Sequence, residues 1–388
     1  MSATMPAGRF EALLASKEIV ITCGSGGVGK TTTAAAAAAM AATRLGGRVL
    51  VLTVDPAKRL ASALGLEGFG NEPTLVSDQA FRAAGTQPRG ELWAAMLDTK
   101  QSWDQLVRRH APDARTAQQI LANKLYANIS GRFVQSHEYI AMERLYELHQ
   151  SGRYDLIVVD TPPSRNALDF LEAPSRMADF FSSRFLKILA APSRNRLVSA
   201  ATRPFYSVAD RVLGSQFLSD IGEFFTLFER MGPGFVQRAR AVERVLHDRR
   251  TTFVVVTTLE AAPVHEAEFF LASLEQMGFH LGAVVLNKAL PSWLLAEDPA
   301  RLAEGVRDRV GPAVEALGLN VDAEPAQVQR VLCEVADAFL NYQVVARREA
   351  EQKAELSTRS EVLVTVPAFD QDIHDLAGLL RLGEALLS

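Results

Sequence analysis

The run Gly24-Ser25-Gly26-Gly27-Val28-Gly29-Lys30-Thr31 constrains this chain more than any other stretch of its length. It has the spacing G-x-x-x-x-G-K-[ST] and stands between two segments of opposite character. Before it, "EIVITCG" (Glu18 to Gly24) is continuous, β-branched and closed by glycine, which reads as a buried strand. After it, "KTTTAAAAAAMAATRL" is a run of helix formers that Gly46-Gly47 terminates. Glycines between a strand and a helix let successive backbone N–H groups turn inward and ring an anion. The helix start adds a partial positive charge. Lys30 can reach the outer phosphates of a nucleotide, and the Thr31 hydroxyl can coordinate Mg²⁺. Thr32 is a further loop contact or plain helix surface.

Six more apolar runs have the length and bounds of strands: Arg48 to Asp55, Glu91 to Asp98, Tyr154 to Asp160, Thr251 to Thr258, Leu281 to Asn287 and Glu361 to Pro367. Helical spacing separates most of them, as expected for a mostly parallel sheet covered on both faces. The fold class is therefore α/β, a P-loop nucleotide-binding core whose sheet is flanked by helices. Two long strand-free stretches interrupt the alternation, so the expected core comprises 16–98, 151–165 and 249–388. Residues 99–150 and 166–248 form an inserted helical subdomain. A further long helix is expected from Ala326 to about Leu356, with Val328, Val331, Leu332, Val335, Phe339 and Leu340 on one side.

Composition narrows the function classes. A net charge of −4 and the lack of a basic, aromatic-interleaved patch argue against nucleic acid. The start of the sequence has no apolar core like that of a signal peptide. The longest conspicuous apolar run, Ala34 to Ala42, falls short of the roughly 20 residues a bilayer needs. A cytoplasmic protein is expected. Two distant cysteines, Cys23 and Cys333, make neither a zinc site nor an iron–sulfur site, and neither is expected as a cofactor. His137-Glu138 and His265-Glu266 lack the second histidine of a zinc motif.

Two carboxylates extend the phosphate site. Asp160 closes an apolar strand, as the second Mg²⁺-organising acid of such a site does, and Asp55 closes another, placed to orient or deprotonate an attacking water. Either could instead be a helix N-cap just past its strand.

The loop, "VDPAKRL" (Val54 to Leu60) and "DTPPSRNALDFL" (Asp160 to Leu171) together resemble the ArsA-type ATPases, the group that includes the arsenite-pump ATPase and the targeting ATPase for tail-anchored membrane proteins. The likeness covers nearly the whole chain. It implies ATP or ADP with Mg²⁺ as ligands, catalytic roles for Lys30 and Asp55, and Mg²⁺ held by Thr31 and Asp160. It also implies a dimer with ATP at the subunit interface, and adenine framed by Asn287, Pro367 and Phe369. The family pattern has a lysine at Ser25 that reaches across the dimer, and here a serine stands in its place. Lys58, Arg59 and Arg165 are candidate substitute cations, or simply solvated surface.

The helical insert is rich in phenylalanine, with ten of the chain's 20 between Arg165 and Arg250. Phe180, Phe181, Phe185, Phe224, Phe225 and Phe228 either line a groove for an apolar client or build an ordinary helical core. The expected function is a Mg²⁺-dependent ATPase that acts as a nucleotide-gated dimeric switch, binding and releasing a protein or membrane-associated client. The alternatives are a weakly hydrolysing subunit paired with a lysine-bearing paralogue and an ATPase subunit of an anion or metalloid transporter. A small-molecule kinase on the same fold is a further one.

Overall fold

The computed structural model describes residues 8–54, 58–66, 70–123, 126, 136–162, 167–182, 226–227, 231–316 and 325–388. Eight strands, β1 (Ile19–Cys23), β2 (Arg48–Thr53), β3 (Thr74–Leu75), β4 (Glu91–Met96), β5 (Leu156–Asp160), β6 (Thr251–Thr257), β7 (Leu281–Ala289) and β8 (Leu363–Pro367), form one sheet in the order β3-β4-β2-β5-β1-β6-β7-β8. Every pairing is parallel except that of β3 with β4. All residues of β1, β5 and β6 are buried, which is why these segments are unbroken apolar runs. The seven strands expected from sequence are present, with ends trimmed or extended by one or two residues. β3 has only two residues on an antiparallel edge, too short to leave a periodic signal.

β1 lies between β5 and β6, where the winding of the sheet changes direction. Ligands of open parallel sheets sit in the crevice beyond the strand carboxyl ends at such a point. The loop after β1 opens into that crevice.

The two faces of the sheet are packed differently. On one, the helix Lys30–Met40 lies under a helix formed by Leu376–Leu387, beside the short helix Arg9–Ala15. Ala34 to Ala39 are all buried, and their short side chains let the helix axis approach the sheet closely. A Cβ at Gly383 would stand 2.0 Å from Met40 Cγ and 3.1 Å from the Ala36 carbonyl oxygen, so only glycine permits this spacing. The expected helix over Lys30 to Leu45 changes character at Ala41, where a single π turn (Ala41–Leu45) ends it. An all-alanine run carries no side-chain signal for that change.

The other face is built from large side chains. Helices Thr99–His110, Ala114–Ala122, Ser136–Gln150, Ala167–Ser182, Gly232–Leu246 and Ala261–Met277 share one continuous core with it. Phe235 is its hub among the described residues, with ring centroids 6.2 Å from Trp103, 6.0 Å from Tyr139 and 5.5 Å from His110. Asp98 and Asp113 cap two of these helices, accepting from the N–H groups of Gln101 and Thr116. The buried Glu143 accepts from Arg238 Nε at 2.7 Å. Burial raises the Glu143 pKa, and the Arg238 charge opposes that rise.

Of the six phenylalanines proposed for a groove, Phe180 and Phe181 fall in the last turn of Ala167–Ser182 with their side chains outside the description. Phe185, Phe224, Phe225 and Phe228 lie outside the described residues altogether. The long helix runs from Pro325 to Ser357. Its inward side is centred on Ala336, Gln343 and Ala346 rather than on the expected stripe, which leaves Val331 48% and Val335 60% exposed. Trp293 stacks on Phe339 from a neighbouring turn, with ring centroids 6.1 Å apart.

Candidate active site

The loop after β1 takes its shape from two glycines. Gly24 (φ 150°) passes so close to β6 that a Cβ would stand 2.0 Å from the Val256 carbonyl oxygen. Gly29 (φ 94°) is the left-handed residue that opens the helix, and a Cβ there would meet Asn287 Nδ2 at 2.3 Å. Side chains are disfavoured at both by conformation and by space. The loop is thereby held between β6 and the end of β7.

Lys30 is the first residue of the helix and is buried, its ammonium donating to the Ser25 carbonyl oxygen at 2.7 Å. Thr31 follows, and its hydroxyl donates to Asp160 Oδ2 at 2.6 Å. The same carboxylate oxygen accepts from the Thr53 hydroxyl at 3.0 Å. Register explains the convergence: Asp160 at the end of β5 pairs with Thr53 on β2 and with Thr22 on β1. Sequence reasoning missed Thr53, because a lone hydroxyl at the end of an apolar strand becomes a signal only once the register sets it level with the acid of a parallel neighbour. Thr22 and Thr161 tie β1 to β5 through carbonyl oxygens at 2.9 and 2.7 Å.

The Val54 N–H donates to the Asp160 carbonyl oxygen at 3.2 Å, so the chain leaves β2 beside Asp160. Asp55, the next residue, lies outside the described residues, as does Arg165. Lys58 and Arg59 begin a short helix, Lys58–Ala63, and their side chains are not described. Ser25 is buried, and among the described residues its hydroxyl has no hydrogen-bond partner. Burial pushes the Cys23 thiol up to about 12, so it is a packed, unreactive side chain.

A cavity of about 770 Å³ opens over the loop. Gly26, Gly27, Gly29, Lys30, Thr31 and Thr32 line one wall, and Asn287, Lys288 and Phe369 line another. Its size suits a nucleotide. Gly24, Ser25 and Val28 shape the loop from behind. The Asn287 amide donates to the Val28 carbonyl oxygen at 2.8 Å. Pro367 ends β8 one residue short of the cavity wall, which Ala368 and Phe369 form. Lys288, in the segment Val284 to Lys288 that the resemblance sets at the adenine, also faces the cavity. Gln371, Asp372 and His374 face it too and were not anticipated, since polar residues in a loop carry no pattern that would mark them out.

The sequence profile of the anion-transporting ATPases matches residues 17–299. The chain belongs to that family. It is 24% identical over 294 residues to an "ATPase ASNA1 homolog" of Entamoeba dispar, an alignment covering 74% of this chain and 81% of that protein. An uncharacterized Streptomyces coelicolor protein is 30% identical over 340 residues, covering 80% and 78% of the two chains. A putative arsenical pump-driving ATPase of Chlorobaculum tepidum is 24% identical over 280 residues, covering 70% and 61%. As a member of the anion-transporting ATPase family the chain is an ATP hydrolase.

The donor set of this ATPase suits Mg²⁺. One hydroxyl and one carboxylate, both hard oxygen donors, meet within hydrogen-bond distance beside the phosphate loop. Mg²⁺ at phosphate sites takes only one or two protein ligands and fills the rest with water and phosphate oxygens. Among the described residues, no three His, Cys, Asp or Glu side chains cluster as a metal site. Among the same residues no helix is long and apolar enough to cross a membrane.

Proposed function

We propose that this ATPase is a nucleotide-gated dimeric switch that binds and releases a protein or membrane-associated client. The observation that carries the hydrolytic half is the meeting of Thr31, Thr53 and Asp160 at the carboxyl edge of the sheet, one residue from Lys30. In this reading the loop amides ring the phosphates. Lys30 exchanges the Ser25 carbonyl for phosphate oxygens. Thr31 and Asp160 hold the Mg²⁺, which supplies charge neutralisation at the β- and γ-phosphates. Asp55 accepts the proton of the attacking water as the γ-phosphorus–oxygen bond to ADP breaks, releasing phosphate. The phenylalanine-rich insert, 166–248, is the client-binding part, and ATP shifts the dimer only by its differential affinity for the two states.

Ser25 favours a second reading. A serine brings no positive charge to the interface, and a cation in a desolvated phosphoryl-transfer site contributes several powers of ten in rate. The chain would then hydrolyse slowly alone and be completed by a paralogue that carries lysine at this position. ATP turnover per subunit, measured on the purified chain across a wide range of protein concentration with saturating Mg²⁺, separates the two. A rise to a plateau supports the self-sufficient homodimer. Turnover at background throughout, with ATP still bound, removes it in favour of a lysine-bearing partner.

A further inference from the structure

The long helix Pro325–Ser357 buries one side against its own chain and carries a second apolar side that its own chain leaves bare. Val328, Val331, Val335, Ala338, Tyr342 and Val345 follow one another at alternating spacings of three and four residues, the a/d seam of about two and a half heptads. Val328 is half-buried and the rest are exposed, Tyr342 to 57% and Val345 to 46%. At about 1.5 Å per residue the seam is about 25 Å long. A surface helix needs one apolar stripe to hold it to its domain, so a second stripe with this spacing is fitted to another helix. The seam stops at Glu349, whose carboxylate turns back to its own chain and accepts from the Leu290 N–H at 2.9 Å.

The two flanks of the seam differ. On one, Leu332, Phe339 and Ala346 border the chain's own packing, with Phe339 stacked on Trp293 and Ala346 buried. On the other stand Glu334, Asn341 and Arg348, all exposed. Glu334 lies 3.6 Å from Arg330 along the helix, an exposed contact of the kind that contributes little. The seam is complementary to itself. In an antiparallel pair, polar flank meets polar flank and apolar flank meets apolar flank, whereas a parallel pair sets each polar flank against the partner's apolar one. A pair centred on Leu340 opposes Ala338 to the partner's Tyr342, the smallest seam residue to the largest, and Val335 to the partner's Val345. The same register brings Glu334 beside the partner's Arg348, twice by symmetry. A shift of one heptad loses that charge match and leaves Glu334 beside the partner's Asn341.

We propose that two copies of this chain pair through this seam, antiparallel, with Glu334 of each beside Arg348 of the other. None of the seam residues lines the nucleotide cavity, so the contact forms without nucleotide. It goes beyond the ATP-gated switch and does not depend on it: the seam tethers two subunits whether or not ATP draws their phosphate loops together.

Sedimentation equilibrium of the full chain without nucleotide tests the seam, with thermal melting recorded for each variant. Every position to be changed is exposed, so the fold of the subunit is protected. Val335→Glu places a charge in the seam and is expected to weaken self-association about a hundredfold. Glu334→Arg and Arg348→Glu each set like charges side by side and are expected to weaken it about tenfold. The double variant restores opposite charges and should return to within about threefold of the wild type. A wild-type chain that is monomeric at every concentration, a Val335→Glu chain that associates like the wild type, or a double variant as weak as the single ones each overturns the seam. Association that requires ATP and ignores Val335→Glu overturns the seam and leaves the switch in place. Nucleotide-free dimers that obey the charge exchange but do not respond to ATP support the seam and remove the switch.

Discussion

The two faces of the sheet solve the same burial problem in opposite ways. Beneath the phosphate loop, small residues bring backbones together: the alanines of Lys30–Met40 below, Gly383 above. On the far face, Phe235, Trp103, Tyr139, Phe170 and Phe253 fill the space between helices and sheet. Close backbone contact leaves little room for a helix to slide, and Lys30 and Thr31 are the first two residues of the helix so held. Large side chains repack through rotamer changes that alanine lacks. The rigid face therefore carries the chemistry, and the aromatic face includes helices of the insert proposed to bind the client.

Truncation should expose that difference most sharply. Phe235→Ala empties the hub of the aromatic face and is expected to lower stability by about 3–5 kcal/mol, read by denaturant unfolding. ADP affinity in the surviving folded fraction should hold, because the rings Phe235 packs on, Trp103, His110 and Tyr139, belong to the aromatic face. A matching loss of ADP affinity would mean that the faces are not independent. Next comes Thr53→Val, which keeps the shape of a buried side chain and removes one donor to Asp160. A hydrogen bond to a charged group is worth about 1.5–3 kcal/mol, and the loss should appear in the Mg²⁺ dependence of turnover as well as in melting. Gly383→Ala overpacks the rigid face. It should cost about 1–3 kcal/mol and, unlike Phe235→Ala, weaken ADP binding by displacing the helix that presents Lys30.

The smallest effect is a pH dependence of the aromatic face. Burial first, then the charges of Arg238 and Arg109, hold the His110 imidazole down at about 4, against 6.5 in an open chain. The folded state keeps this ring neutral, so as pH falls below 6.5 the unfolded chain takes up the proton first. Stability is then lost until about 4, where the folded ring protonates too. His110→Phe should remove that slope, seen as a wild-type unfolding free energy that falls relative to the variant's as pH is lowered from about 6.5 to about 4. Equal slopes in both would place the titration elsewhere.

Much of this was legible in the sequence, for reasons that also define where reading fails. Parallel strands buried on both faces must be continuous apolar runs, so β1, β2, β5, β6 and most of β7 could be located from those runs, and the less buried β4 and β8 are apolar enough to be found the same way. The phosphate loop was legible because its glycines are demanded by backbone geometry. Asp372 and His374 on the cavity wall were not, because polar residues of a loop have no demanded spacing. Thr53 became visible only with the register that sets it beside Asp160. On the long helix, the expected stripe included Val331 and Val335, but the side packed inward carries Ala336, Gln343 and Ala346, and periodicity does not say which neighbour a helix has.

Gly383 carries one more consequence. The helix Leu376–Leu387 that covers the alanine helix belongs to the far end of the described chain, while the helix it clamps follows directly on β1. On the ribosome, the loop with Lys30 emerges among the first residues and its cover among the last of those described here. Synthesis proceeds at about 5–20 residues per second, so the phosphate loop exists for tens of seconds before the surface that steadies it. Strands β6, β7 and β8 are made in that same interval, and nucleotide affinity of the growing chain should rise steeply only when residues 376–387 have been made.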